Sequence, residues 1–342
     1  MSRIYVHGCG AVSPAGWDVD SLIDSVSEKR TIALKELKRP GWAAPLLVRV
    51  VPPASPRPAF LSHPRLRRAS AITHYAVSAA LQALGEAASK VNAGSLRLGV
   101  IFCVLTGCVN YSRRFYDEAW HDPSTASPLL FPETVFNAPS SHLAALLGSQ
   151  EINYTLVGDP GTFLQGLALA AEWLSYEPLD GCLVVGAEEL EWLAVDAYRL
   201  SAPKIILSEG AGALYLTRET PRAVGVELAA VTDPHLFFSQ QSRIDAAEKI
   251  QTELLTLGAA DLLCDGLQGL PRLDAPEQAA WTSGAGERIS LKMILGEGLM
   301  AAAAWQCVAA AEALRRGPHR TAHVSVVGCN EQAIGARFRS AQ

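Results

Sequence analysis

The sequence contains no apolar run long enough to cross a bilayer. The longest apolar helical stretch, Leu299 to Ala311, is interrupted by Gln306 and is too short to span the hydrocarbon. This speaks against membrane insertion. Positive charge is also scarce: 29 Lys and Arg stand against 34 Asp and Glu, a net charge of −5, which gives no basic field for a phosphate backbone and argues against nucleic acid as a partner. Metal-type cysteine pairs are missing. The seven cysteines, at 9, 103, 108, 182, 264, 307 and 329, are odd in number and several lie inside apolar runs, so they read as buried free thiols with no metal or other cofactor to hold. The opening MSRIYVHGCGAVSPAG lacks the charged start, apolar stretch and small-residue cleavage site of an export signal, and a cytoplasmic protein is expected.

What is present is a large, ordinary interior. Hydrophobic residues make up 49% of the 342 positions and charged residues 18%, a balance that fits a folded scaffold and not a disordered chain. Short β-rich runs alternate with longer helical ones. Strands are expected at Ile4 to His7, Leu98 to Thr106, Ile152 to Val157, Gly181 to Ala187, Ala211 to Leu216, Val224 to Val231, Asp261 to Cys264, Val324 to Val327 and Ala333 to Phe338. Helices are expected at Arg68 to Ser89, Ser140 to Leu147, Thr162 to Leu174, Gln240 to Leu257 and Gly298 to Arg315. Such alternation predicts an α/β fold with mostly parallel sheets covered on both faces. Lys38 to Pro64 holds seven prolines and reads as an irregular surface connection. TRETPRAV, from Thr217, interrupts two strand-like runs and suggests two halves, 1–219 and 220–342.

Four segments, in order, carry a resemblance: VHGCGAVSPAG, FPETVFNAPSSHLAALLG, INYTLVGDPGTFLQGLALAAEWL with DGCLVVGAEE, and SEGAGALYL. Together they resemble the β-ketoacyl-acyl carrier protein synthases, which implies a thiolase-like, five-layered αβαβα fold. In that family a cysteine nucleophile sits at a sharp strand-to-helix turn, where a helix N-terminus favours the thiolate. The matching turn here is Gly158-Asp159-Pro160-Gly161, with Pro160 at the nucleophile position. The family's two histidines match Asp265, in Asp265-Gly266-Leu267-Gln268-Gly269, and Glu297. The family's lysine matches Lys292, placed to form an ion pair with Glu297. Condensation needs a thioester carrier and imidazole donors that stabilise a carbanion, so a proline and two acids imply no catalytic residues. The final loop, Gly328-Cys329-Asn330, departs from the family's Gly-Phe-Gly-Gly pattern.

The resemblance therefore implies a subunit of the chain-length-factor kind. Such a subunit pairs as a heterodimer with an active ketosynthase in a type II polyketide, aryl polyene or fatty-acid-like pathway and meets an acyl carrier protein transiently. The interface is expected at Ile152 to Val157 and the neighbouring FNAPSSHLAALLG, with Phe136, Asn137, Asn153, Thr155 and Phe163 at the seam or tunnel. For Phe136 and Phe163 ordinary core packing is the competing expectation. Two other functions stand beside this one: an enzyme using Asp265 and Glu297 as acid and base on carrier-bound acyl thioesters, and a homodimeric acyl-binding protein. Gly8-Cys9-Gly10 after a strand suggests a dinucleotide turn, but Ser13 and Pro14 stand where that turn continues. Ser140 reads as a helix cap beside His142, Cys108 as a buried thiol, and Arg65, Arg67, Arg68, Arg113 and Arg114 as solvated charges or an attraction for an acidic carrier.

Overall fold

The computed structural model describes residues 3–221, 225–282, 285–329 and 331–341. Asn330 of the final loop and Val224 of an expected strand lie outside the described residues. The chain runs through β1 (Tyr5–Val12), α1 (Val19–Ser27), β2 (Lys35–Leu37), β3 (Leu46–Val48), α2 (Ala71–Leu84), α3 (Ala87–Asn92), β4 (Leu98–Val104), α4 (Val109–His121), α5 (Ala138–Leu147), β5 (Asn153–Val157), α6 (Thr162–Tyr176), β6 (Gly181–Glu188), α7 (Trp192–Ser201) and β7 (Gly210–Thr217). It continues through β8 (Gly225–Val231), β9 (His235–Leu236), α8 (Gln240–Thr256), β10 (Ala260–Cys264), α9 (Pro271–Ala280), β11 (Ala285–Ile289), α10 (Leu291–Leu295), α11 (Met300–Arg316), β12 (Thr321–Val327) and β13 (Gln332–Ala341).

Ten of the strands follow one path, β11-β10-β12-β13-β8-β1-β7-β6-β4-β5, in which the same order appears twice; β9 joins it beside β13, and β2 and β3 form a separate pair. From β1 the sequence of neighbours is β7, β6, β4, β5; from β8 it is β13, β12, β10, β11. Orientations match as well: the first two pairings are antiparallel and the last two parallel in each set. The two sets meet where Tyr5 and Val6 pair with Glu227 and Val226.

Between them lies α11, whose sequence MAAAAWQCVAAAEALRR is buried on almost every side. Alanine is what lets it be there. A Cβ at Gly186 would fall 2.8 Å from the Met300 carbonyl oxygen, and one at Gly212 would fall 2.7 Å from Ala304 Cβ, so helix and sheet touch backbone to backbone. Trp305 Nε1 donates to the carbonyls of Val12 and Ala211, and Gln306 Nε2 to that of Ser325, which ties the helix to strands of both sets. With α6 beside α11 in the middle, α2 and α5 outside one set and α8 and α9 outside the other, the layers are αβαβα.

Gly8 and Gly10 form no dinucleotide turn, in keeping with Ser13 and Pro14 after them: they lie inside β1, where a Cβ would meet Ala83 O at 1.9 Å and Ala79 O at 1.8 Å, so they admit α2 against the strand. Three local expectations are corrected. The helix expected from Arg68 to Ser89 is two, broken at Gly85, whose φ of 50° ends α2. The proline-rich 38–64 stretch is not wholly irregular, because Leu46 and Val48 face inward as β3, pair with β2 and cover Val195, Ile205 and Leu207. Ser140 caps nothing: α5 starts at Ala138 after Asn137, with Pro139 in the first turn, and the Ser140 hydroxyl donates to Asn153 Oδ1. Among the described residues no helix is long and apolar enough to cross a membrane.

Candidate functional site

The turn from β5 into α6 is buried and closed by its neighbours. Thr162 N bonds to the Asp159 carbonyl at 2.7 Å to start α6, and a Cβ on Gly161 would lie 2.7 Å from Ile334 Cγ2, so this turn has no room for a side chain there. Asp159 turns back to accept from the backbone N–H groups of Glu331 and Gln332, and Gln332 Nε2 donates to Thr162 Oγ1 at 3.2 Å. The segment after β12 is thus fastened over Pro160, which is itself buried.

Glu297 and Asp265, the two acids expected at histidine positions, take different partners. Glu297 follows α10 through Gly296, at φ 87°, and its backbone is held by Ile206 and Ser208. Its carboxylate receives Lys292 Nζ at 2.7 Å, Gln268 Nε2 at 2.9 Å and Leu299 N at 2.8 Å. Glu297 and Lys292 are 1% and 3% exposed. Burial works against the ammonium of Lys292, but Glu297, joined by Cys329 and Glu277, outweighs it and leaves the lysine above its ordinary range.

Asp265, at the end of β10, does not sit with Glu297 as a carboxylate pair. Its titrating neighbour is Glu277 of α9, whose own oxygen accepts from Gly266 N at 3.0 Å. Burial, and then Asp265, push the Glu277 carboxyl up to about 7, and burial raises Asp265 too, against hydrogen bonds from Ser290 and Leu267 N and the charge of Arg288 at 3.7 Å. Asp274, also on α9, holds the loop by accepting from Gln268 N and Leu270 N. Glu277 and Asp274 escape a reading of the sequence because α9 begins at Pro271 and contains Pro276, both of which read as loop. Cys329 links the two ends of the site. Burial raises its thiol well above the usual range, Glu297 and Asp159 raise it further, and Lys292 and Arg243 oppose them.

The expected interface residues lie elsewhere, along the end of the sheet. β5 is an edge strand of Asn153, Tyr154, Thr155, Leu156 and Val157 with no charge on it, and Tyr154 and Val157 are more than half exposed. Beside it runs a groove of about 630 Å³ lined by Asn137, Ser140, Ser141, Ala144, Tyr154 and Thr155, among others. Asn153 closes one wall through its bonds with Ser140. Phe136 is exposed and lies over Gly107, and Phe163 is fully buried in the core against Gly186. His142 pairs with Glu133 at 2.9 Å, Cys108 is buried and pushed up to about 12 by burial, Arg113 bridges Asp117 and Glu191, and Arg114 bridges Glu118. Arg65, Arg67 and Arg68 are exposed.

The fold defined by these layers and by the closed strand-turn-helix is the thiolase-like fold of the β-ketoacyl synthases. Among solved structures it is similar to "The ishigamide ketosynthase/chain length factor" at TM-score 0.83 and 18% identity, covering 99% of this chain and 100% of that one. It is also similar to a ketosynthase (ApeO) in complex with its chain length factor (ApeC) from Xenorhabdus doucetiae, at TM-score 0.78 and 18% identity over 99% and 98% of the two chains. A third is a type II polyketide synthase acyl-carrier protein in complex with its ketosynthase (AntDE:AntF), at 0.77 and 18% over 99% of each chain. No protein-family model matches the sequence, and no curated protein does.

Proposed function

We propose that the chain is a non-catalytic, ketosynthase-like subunit of the chain-length-factor kind, which pairs through β5 with a cysteine-bearing ketosynthase. The observation that carries this reading is the content of the old site. Pro160 stands at the nucleophile turn, and the position of one histidine holds a carboxylate locked to Lys292 in the interior. A proline cannot carry a thioester, and a buried ion pair cannot donate to an enolate without breaking. The uncharged outer edge of β5 supports a strand-to-strand partner, since an exposed edge without charge, proline or cover is otherwise prone to aggregation. Solved structures of this fold that describe a ketosynthase with its chain length factor, or with an acyl-carrier protein, support the same company. The exposed Arg65, Arg67 and Arg68 suit a transient contact with an acidic carrier. Type II polyketide or aryl polyene synthesis is the pathway class we favour, and the repeated strand order supports reading 1–219 and 220–342 as two halves of one duplicated unit.

One observation favours an enzyme instead: Glu277 holds its proton up to about 7 beside Asp265, as a general acid would. Both are buried away from any described groove, so substrate would have to open the site first.

The deciding experiment is co-expression with a cysteine-bearing ketosynthase, followed by size-exclusion chromatography and turnover. Co-elution, with product made only by the pair, is expected. Full-length product from the synthase alone, or an acyl adduct on the isolated chain seen by intact-protein mass spectrometry, overturns the reading, and a stable self-pair that excludes the synthase establishes the homodimer.

A further inference from the structure

Arg243 is a buried cation without a counter-ion in contact. It is 7% exposed, and among the described residues its guanidinium makes no hydrogen bond and no ion pair; its Nε is wholly enclosed. Its one side-chain contact of note is the ring of Phe237, 5.5 Å from the guanidinium carbon. Of its three nitrogens only Nε is fully enclosed, so the Nη end stays within reach of solvent or of a ligand, and the Phe237 ring brings no net negative charge to it. The placement deepens the anomaly. Arg243 is the fourth residue of α8, at the positive end of a 17-residue helix that has no acidic residue in its first turn. The capping box of Ser239 and Ser242 satisfies backbone groups there but brings no negative charge.

The surroundings say where an anion would sit. The charge of Arg243 bears on the Cys329 thiol, so the guanidinium lies toward the loop that closes over Pro160. That loop is also tied to the arginine's own segment, because Phe237 N donates to the Glu331 carbonyl at 2.7 Å. Lys292, the other cation bearing on Cys329, is committed to Glu297, and Asp159 accepts from Glu331 N and Gln332 N. Leu236 and Phe238 flank Phe237 in sequence and are largely exposed, which gives the rim an apolar lip.

We propose that the first turn of α8, with Arg243 at its floor, is a binding site for an organic anion: a phosphate or carboxylate group carried on an apolar tail that lies against Leu236 and Phe238. A helix N-terminus and an arginine fork together make the usual cradle for such groups. Nothing in this site requires a partner subunit, so it stands or falls apart from the pairing described above.

The test uses the full chain, with phenyl phosphate, benzoate and inorganic phosphate titrated at constant ionic strength, read by calorimetry and by the thermal midpoint. Saturable binding of phenyl phosphate or benzoate is expected, and the tighter of the two identifies the head group. Arg243→Met should weaken it about tenfold or more, and Arg243→Lys less, because lysine keeps the charge and loses the fork. In chloride buffer Arg243→Met should melt no lower than the parent, since it removes a buried charge that has no counter-ion. A structural role predicts the reverse. No saturable binding, equal binding by Arg243→Met, inorganic phosphate bound as tightly as phenyl phosphate, or a lowered midpoint for Arg243→Met in chloride each overturn the proposal.

Discussion

Lys292 Nζ and Glu297 Oε2 lie 2.7 Å apart with both side chains almost fully enclosed, at the two positions we propose to match the lysine and one imidazole of a condensing enzyme. The pair makes this part of the interior neutral and filled. Removing one partner leaves the other charged and buried, whereas removing both leaves only a packing change. Glu297→Gln is therefore expected to lower unfolding free energy by roughly 3–5 kcal/mol in urea titrations. Lys292→Met combined with Glu297→Leu should fall within about 1 kcal/mol of the parent. Additive losses in the double variant would show that the two side chains act independently.

Glu277 and Asp265 give the interior a pH signature. Both carboxyls are raised above their ordinary values, so the folded state binds protons more tightly than the unfolded chain does. Their contribution to stability is complete below the unfolded values of about 4 and is lost as pH rises, for Glu277 through about 7. Glu188, buried at the end of β6 and also raised to about 7, adds to the same window. Urea midpoints should fall between about pH 5 and 8, and Glu277→Gln should flatten that slope without removing it, because Glu188 remains. A steeper slope in Glu277→Gln would contradict the assignment.

Edge pairing makes a separate demand on β5. Val157 is more than half exposed on an edge strand, so a charge there should be tolerated by the isolated chain and resisted by a partner strand. Val157→Lys should leave the urea midpoint within about 0.5 kcal/mol of the parent, as ordinary surface changes do, and abolish co-elution with the ketosynthase. Co-elution that survives the lysine would place the interface on another face.

The strands and helices with strong patterns are legible in the sequence: β4 as an unbroken apolar run, α6 and α11 as long alanine-rich helices, and β5 as the element leading to a proline turn. What escapes has a physical reason. α4 buries none of its residues and so shows no apolar stripe, and it is attached through carboxylates instead, with Glu189 accepting from Asn110 N and Glu191 bridging Arg113. Both acceptors sit in the run GAEELE, about 80 residues on, and no local pattern announces such a contact. α9 is hidden by its prolines, and with it Glu277, so the sequence pairs Asp265 with the wrong carboxylate. The lysine–glutamate pair is readable because both residues fall within a short segment around one turn.

The fit of β1 against α2 sets a strict limit at Gly10. Any other residue would place its Cβ 1.8 Å from the Ala79 carbonyl oxygen, inside contact distance with backbone that cannot rotate away. Gly10→Ala must push α2 off the strand, and overpacking of this kind costs roughly 1–3 kcal/mol or more. Urea unfolding should record that loss. An Ala variant as stable as the parent would mean that α2 slides freely on the sheet.

Restoring sulfur at the old turn should not restore chemistry. Pro160→Cys would place a thiol at the start of α6, where the helix N-terminus lowers a thiol pKa, yet the same position lies buried beneath a loop fastened through Asp159 and Gln332. On the proposed match, even an ionised sulfur there would have Glu297 bound to Lys292 and the carboxyl of Asp265 in place of two imidazoles. The Glu297 carboxylate has no proton to give to a developing enolate, and the Asp265 carboxyl is engaged by Leu267 N and Ser290 beside Arg288. Pro160→Cys is expected to show no condensation of a malonyl thioester and no acyl adduct by intact mass, alone or with a partner present. Adding Asp265→His and Glu297→His would remove the acids but strand Lys292 in the interior, so that triple variant should lose stability before it gains a reaction. An acyl adduct on the single Pro160→Cys variant would show that the turn is open to substrate, and that the proposed lack of catalysis rests on residue 160 and not on the filled interior.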